Sequence, residues 1–231
     1  MTIKDKKLKE MSIYIIPNLF TSCNLFCGFY AILSCMNGKF VHAATAIIVA
    51  SIFDMLDGRI ARMTKGYSRF GEEYDSLADQ ISFVASPSIL IFKWGLEPFG
   101  KLGWLASFLF IACGALRLAR FNVQAHTVER KHFQGLPTPV AAGVIATLVI
   151  MFNELGMEFE KSLPMLIMTF ILSFLMVSDV RYRSFKDFDL RHKRPFMTTV
   201  LGLMLFIVIV SKPEIMLFVL VFTYVSWGFL N

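Results

Sequence analysis

Residues 41–62 read VHAATAIIVASIFDMLDGRIAR, and after a short polar turn residues 71–80 read GEEYDSLADQ before the chain turns apolar again. The first stretch is mostly apolar through Phe53, then sets Asp54 and Asp57 into its closing turns. The second places Asp75 and Asp79 at the entry of the next apolar run. About 20 apolar residues suffice to cross the hydrocarbon of a bilayer as a helix. Carboxylates at such a depth are costly unless they pair, bind a cation or line a wet cavity. The two stretches therefore predict a pair of membrane helices whose acids meet at one interface.

The rest of the chain agrees. Of 231 residues, 56% are hydrophobic and 17% charged, with 24 Phe and a mean hydropathy of +0.61, whereas soluble domains carry about 25% charged residues. A soluble fold of this size has no interior for so much apolar surface. About eight apolar spans are expected, near residues 14–35, 41–62, 76–94, 103–121, 138–153, 163–180, 197–211 and 214–230. The expected architecture is an all-α polytopic membrane protein forming one transmembrane catalytic domain over residues 1–231. Residues 1–13 form a basic N-terminal segment and residues 197–230 a C-terminal helical hairpin. The basic start resembles a signal peptide, but its apolar run continues to Cys35 without a small-x-small cleavage site, so a retained first helix is expected.

Charge placement orients the chain. Loops on one side hold five of the 23 basic residues (Lys39, Lys93, Lys101, Lys161, Lys212) and five of the 17 acids, so the net +6 lies wholly on the other face. The positive-inside rule makes that face, with both termini, cytoplasmic and the protein a cell-membrane one. Such a face binds anionic lipid; with no soluble recognition module, nucleic-acid binding is not expected. Cys23, Cys27, Cys35 and Cys113 lack metal-site spacing, and His42, His126 and His132 have no companions at ligand spacing. Pro87 is expected to kink the third helix.

Spacing gives the acids a purpose. Asp54 and Asp57, three apart, share a helix face, as do Asp75 and Asp79, four apart. The short turn makes the two helices antiparallel neighbours, on which reading both pairs converge. Four like charges so close repel strongly. One remedy is ion pairing to Arg59, Arg62 and Arg69; another is divalent cations, where hard oxygen ligands suit magnesium, manganese or calcium over zinc. Gly58 weakens a helix but lets a ligand approach the backbone, and Arg62 and Ser68 could donate to phosphate oxygens.

The pattern Asp54-x2-Asp57-Gly58-x2-Ala61-Arg62-x8-Gly71-x3-Asp75-x3-Asp79, eight fixed residues across 26 positions, resembles without departure the signature of the CDP-alcohol phosphotransferase family. The resemblance implies a six-helix membrane core, a homodimer, and transfer of a substituted phosphoryl group from a CDP-alcohol to an acceptor alcohol with release of CMP. It further implies that Asp54, Asp57 and Asp75 are metal ligands, with Asp79 both at the metal and the general base. Gly58, Arg62 and Ser68 become nucleotide- and phosphate-contacting positions. Two Mg2+ or Mn2+ ions are implied per site, with Ca2+ as a non-productive occupant.

Three softer stretches, residues 16–28 (IPNLFTSCNLFCG), 117–122 (RLARFN) and 133–142 (FQGLPTPVAA), resemble the serine-using branch of that family. This implies CDP-diacylglycerol and L-serine as substrates, beside membrane lipids. Serine brings a carboxylate, and Arg117 and Arg120, three apart, could present two guanidiniums from one face; Asn122 and Asn18 (or Asn24) could complete the pocket. The alternatives are another acceptor, glycerol 3-phosphate above all, and, more remotely, a cation-coupled transporter.

Overall fold

The computed structural model describes residues 3–64, 68–125, 133–156, 163–179, 181–182, 218–219 and 223. The expected hairpin at 197–230, apart from three of its residues, lies outside them, as do His126, His132 and the basic stretch after Tyr182.

Helix α1 (Ile3–Met36) starts well before the apolar span and continues through Pro17. It is closed by backbone bonds from Gly38 N to Cys35 O and from Lys39 N to Ser34 O, a 5→2 and 6→1 pair that satisfies terminal carbonyls. The chain reverses into α2 (Phe40–Thr64). Ala43, Ala44, Ala46 and Ala50 are buried on α2, and α1 against α2 is the most extensive helix contact. Small side chains let backbones close where lipid gives helices no hydrophobic reason to associate.

Helix α3 (Arg69–Asp79) is polar and capped by Ser68, whose side chain accepts from Gly71 N. It runs directly into a π-helical segment, Gln80–Ala85, then α4 (Ser86–Ile91), a second π segment (Phe92–Leu96) and a 3-10 turn (Glu97–Phe99). Around Pro87, where a kink is expected, the helix changes type instead of running as one regular α-helix. Proline supplies no N–H to the preceding turn, and widened π turns are one way a helix absorbs such a defect. Ser86 Oγ bonds Ile81 O at 2.7 Å across that turn.

Three longer helices follow among the described residues: α5 (Lys101–Ala125), α6 (Thr138–Glu154) and α7 (Leu163–Val177). A two-residue antiparallel ladder pairs β1 (Phe133–Gln134) with β2 (Arg181–Tyr182). Beside it Gly135, at φ +80°, passes so near Met176 O that a Cβ there would collide, so the link into α6 is clamped to the end of α7.

Ile15–Met36, Phe40–Thr64 and Lys101–Gln124 are long and apolar enough to cross a membrane, and α6 and α7 are shorter apolar helices. Leu19, Phe26, Phe29, Trp104, Phe108, Ile167 and Phe174 point outward, while Phe83, Phe110, Leu90, Ile91, Ile47 and Ile145 fill the interior. The protein is membrane-embedded; its described helices fall at the first six expected stretches, and three of them are long enough to span.

One expectation is corrected. Helices α2 and α3 are not packed neighbours: α1 lies along both, and their backbones scarcely approach one another. The small residues of α1 and α2 pack better than the polar face of α3 would. The acids must therefore reach across a gap beside α1.

Candidate active site

They do reach. Carboxylate oxygens of Asp54, Asp57 and Asp75 lie within 4.8 Å of one another. Asp79, one turn beyond Asp75, interacts electrostatically with all three. Asp57 is 4% exposed, and its Oδ2 accepts from Thr21 Oγ1 at 2.9 Å. Asp79 Oδ1 accepts from Asn24 Nδ2 at 3.0 Å.

Among the described residues no Lys or Arg forms an ion pair with this cluster, although Arg117 stands near enough to interact electrostatically with Asp79. Among the described residues the ion pairs are Lys93–Glu97 and Arg120–Asp179, so pairing to Arg59, Arg62 or Arg69 does not account for the four acids. Asp75 Oδ1 is buried without a hydrogen-bond partner. A buried, unpartnered carboxylate oxygen is expensive, and a hard divalent cation among four oxygen donors is the partner that chemistry suits. The donor set fits such an ion.

The cluster opens onto a cavity of about 250 Å³ lined by Asp54, Asp75, Asp79, Ser76 and Arg117, with Leu118, Phe121 and the Pro137–Pro139 entry of α6 closing it. Arg117 Nη1 donates to Thr138 Oγ1 at 3.1 Å, and its Nε is buried without a partner. A wider apolar groove around Cys27, Tyr30 and His42 holds no carboxylate.

A model of the CDP-alcohol phosphatidyltransferase family matches residues 14–177. The chain belongs to that family. Similar relatives include the CDP-diacylglycerol–serine O-phosphatidyltransferase of Helicobacter pylori (strain ATCC 700392 / 26695), 40% identical over 176 residues, covering 75% of this chain and 74% of the relative. The archaetidylserine synthase of Methanothermobacter thermautotrophicus is 35% identical over 184 residues, 78% of this chain and 73% of the relative. The CDP-diacylglycerol–serine O-phosphatidyltransferase of Bacillus subtilis is 33% identical over 172 residues, 74% and 91% respectively.

In this CDP-alcohol phosphatidyltransferase, Gly58 sits on α2 between the acids and Arg62. A Cβ built on Gly58 would meet nothing nearer than Arg62 Nη1 at 4.0 Å, so the space above its backbone is open. Arg62 is exposed. Ser68 Oγ is engaged as the α3 cap.

The residues expected around an acceptor separate. Arg117 faces the cavity, whereas Arg120 turns to the end of α7, where it ion-pairs with Asp179 and reaches Val177 O at 3.4 Å. Positions three apart differ by about 60° around a helix, and Asp179 draws the second side chain away. Asn122 exchanges hydrogen bonds with Ser76 (3.0 and 3.1 Å), tying α5 to α3. Asn18 lies near Gly71, its Oδ1 3.2 Å from where a Cβ would stand there. Asn24 is committed to Asp79. Thr21 was not singled out by spacing, although Thr21, Asn24 and Gly28 at i, i+3 and i+7 mark one helix face.

Proposed function

We propose that this member of the family is a phosphatidylserine synthase: it transfers the phosphatidyl group from CDP-diacylglycerol to the hydroxyl of L-serine and releases CMP. The observation that carries the reading is the single cavity in which Asp54, Asp75 and Asp79 stand with Arg117. It offers a cation-binding wall and a guanidinium for an acceptor carboxylate within one space. The relatives support the acceptor, because two names that differ in the lipid share serine.

The chain's residues divide the work. Asp54, Asp57, Asp75 and Asp79 hold divalent cations, Mg2+ or Mn2+, two to a site. When bound, these cations neutralise pyrophosphate charge and stabilise the entering and leaving oxygens. Gly58 admits the nucleotide to the α2 backbone, with Arg62 and the Ser68 hydroxyl donating to it. Arg117 binds the serine carboxylate and aims the hydroxyl at phosphorus. Asp79, one oxygen held by Asn24, accepts the hydroxyl proton at Oδ2 as the serine O–P bond forms and the bond to CMP breaks. Positioning and charge compensation suffice without a covalent enzyme intermediate.

By the charge count along the sequence, the site falls on the face to which the net positive charge is assigned. On this reading that face and both termini are cytoplasmic, the acyl chains stay in the bilayer, and residues 1–231 act as one catalytic domain in a homodimer.

Purified protein given CDP-diacylglycerol, a divalent metal and labelled serine should form labelled phosphatidylserine and stoichiometric CMP. Consumption of glycerol 3-phosphate in place of serine would make it a phosphatidylglycerophosphate synthase. The nucleotide position has its own test. Gly58→Ala should raise the melting temperature, since Ala is better than Gly in a helix by up to about 1 kcal/mol and the added methyl meets open space. Turnover should nevertheless fall about tenfold or more, a barrier increase of roughly 1.4 kcal/mol, because the methyl occupies the ligand's approach. A thermal melt beside a turnover assay reads both signs.

A further inference from the structure

Two side chains of α1 that lie outside the aspartate signature enter the carboxylate cluster. Thr21 and Asn24 are 3% and 0% exposed, and each gives a donor to an acid on a different helix: Thr21 to Asp57 on α2, Asn24 to Asp79 on α3. Gly28 follows one turn later on the same face. A Cβ there would stand 2.7 Å from Ser82 Cα, so only glycine lets α1 pass this close to the π segment that continues α3. Ser82 Oγ donates to Asn24 O (2.9 Å), and the Ser86 hydroxyl shares its proton between Gly28 O (2.8 Å) and Ile81 O (2.7 Å). The backbone-directed bonds to Asn24 O and Gly28 O already lock the helices together. Asn24 gives its amide to a carboxylate instead, and the Thr21 hydroxyl, which also lies 3.2 Å from Pro17 O one turn back, makes its shorter contact, 2.9 Å, with a carboxylate.

We propose that Thr21 and Asn24 are positioning residues of the cation site, each holding one oxygen of its aspartate so that the other is turned toward the bound ions. The proposal rests on the reading of the aspartate quartet as a cation site. The terminal torsion of an aspartate is broad, and in a cluster of like charges a free carboxylate swings away from its neighbours. A neutral donor on one oxygen opposes that swing without adding a competing charge. Partners that orient metal ligands in this way commonly contribute 10- to 100-fold in metal affinity.

Mn2+ binding to the full-length protein in detergent, without substrate and read from the EPR signal of free Mn2+, tests this. Thr21→Val keeps the side-chain shape and removes the donor; Thr21→Ser keeps the donor; Asn24→Ala removes the amide. Thr21→Val and Asn24→Ala should each weaken Mn2+ binding about tenfold or more, with Thr21→Ser within about twofold of the parent. At saturating Mn2+ the KM for CDP-diacylglycerol should be unchanged in all three. Parent-like Mn2+ affinity in Thr21→Val and Asn24→Ala, with only the melting temperature lowered, would make both residues ordinary helix ties and overturn the proposal. Should Asn24→Ala fail to fold, the Thr21→Val and Thr21→Ser pair decides alone. If the parent shows no Mn2+ binding that Asp75→Asn removes, the cation-site reading itself fails, an outcome distinct from parent binding that the α1 variants leave untouched.

Discussion

Replacing Asp79 by Asn is expected to lower transfer about 10³-fold while the protein stays folded. Asparagine keeps the size of the side chain, and its carbonyl oxygen can still accept the Asn24 amide now received by Asp79 Oδ1. What disappears is one negative charge and the oxygen that takes the serine proton; a positioned general base alone contributes about 10²–10⁴. Stability moves the other way. Asp79 stands among three like-charged carboxylates, and no Lys or Arg ion-pairs with the cluster among the described residues. Removing one charge therefore relieves repulsion in the metal-free protein. The expected pair of results is turnover near background with a metal-free melting temperature equal to or above the parent's. Retention of a tenth or more of parent turnover would remove Asp79 from the chemistry.

The second large effect belongs to Arg117. Arg117→Lys should raise the KM for serine about 100-fold, or roughly 2.7 kcal/mol of lost binding, with little change in the KM for CDP-diacylglycerol. The guanidinium spans two tasks: Nη1 is bonded to Thr138, while buried Nε has no partner and remains for an acceptor carboxylate. A lysine ammonium cannot span both, so the conservative replacement should not rescue. Arg120→Ala supplies the contrast. Its ion pair with Asp179 is solvent-accessible, with the Asp179 side chain 82% exposed, and exposed pairs contribute up to about 1 kcal/mol. Its loss should leave the serine KM alone. Equal KM changes in the two variants would mean that the basic face acts only as a general attractor for anions.

The sequence made some of this legible and concealed the rest for physical reasons. The helical stretches at the first six expected positions could be read because lipid demands apolar side chains, and three of them reach the length that bilayer thickness requires. The aspartates could be read because i, i+3 and i, i+4 spacing sets a shared face whatever the helix packs against. The neighbours of α3 could not. A short connection makes α2 and α3 consecutive, but small-residue packing puts α1 along both and leaves the acids to span the gap. For the same reason Thr21 reads as a minor polar interruption in an apolar run and Asn24 as a candidate for the acceptor pocket, since their actual partners are carboxylates more than thirty residues away. Arg117 and Arg120 looked equivalent until Asp179, near the end of α7, drew one of them aside. The π turns left only one trace in the sequence, Pro87, because hydrogen-bond register is settled by partners such as Ser86 and Ile81 rather than by composition.

The central claim is that the aspartate quartet holds paired dications against a liponucleotide pyrophosphate. Anomalous diffraction from crystals grown with Mn2+ and CDP-diacylglycerol tests it most directly. The account predicts two manganese peaks enclosed by Asp54, Asp57, Asp75 and Asp79, with the pyrophosphate bridging them beside Gly58. Manganese bound elsewhere, or nucleotide density with no metal between it and these four carboxylates, would contradict it.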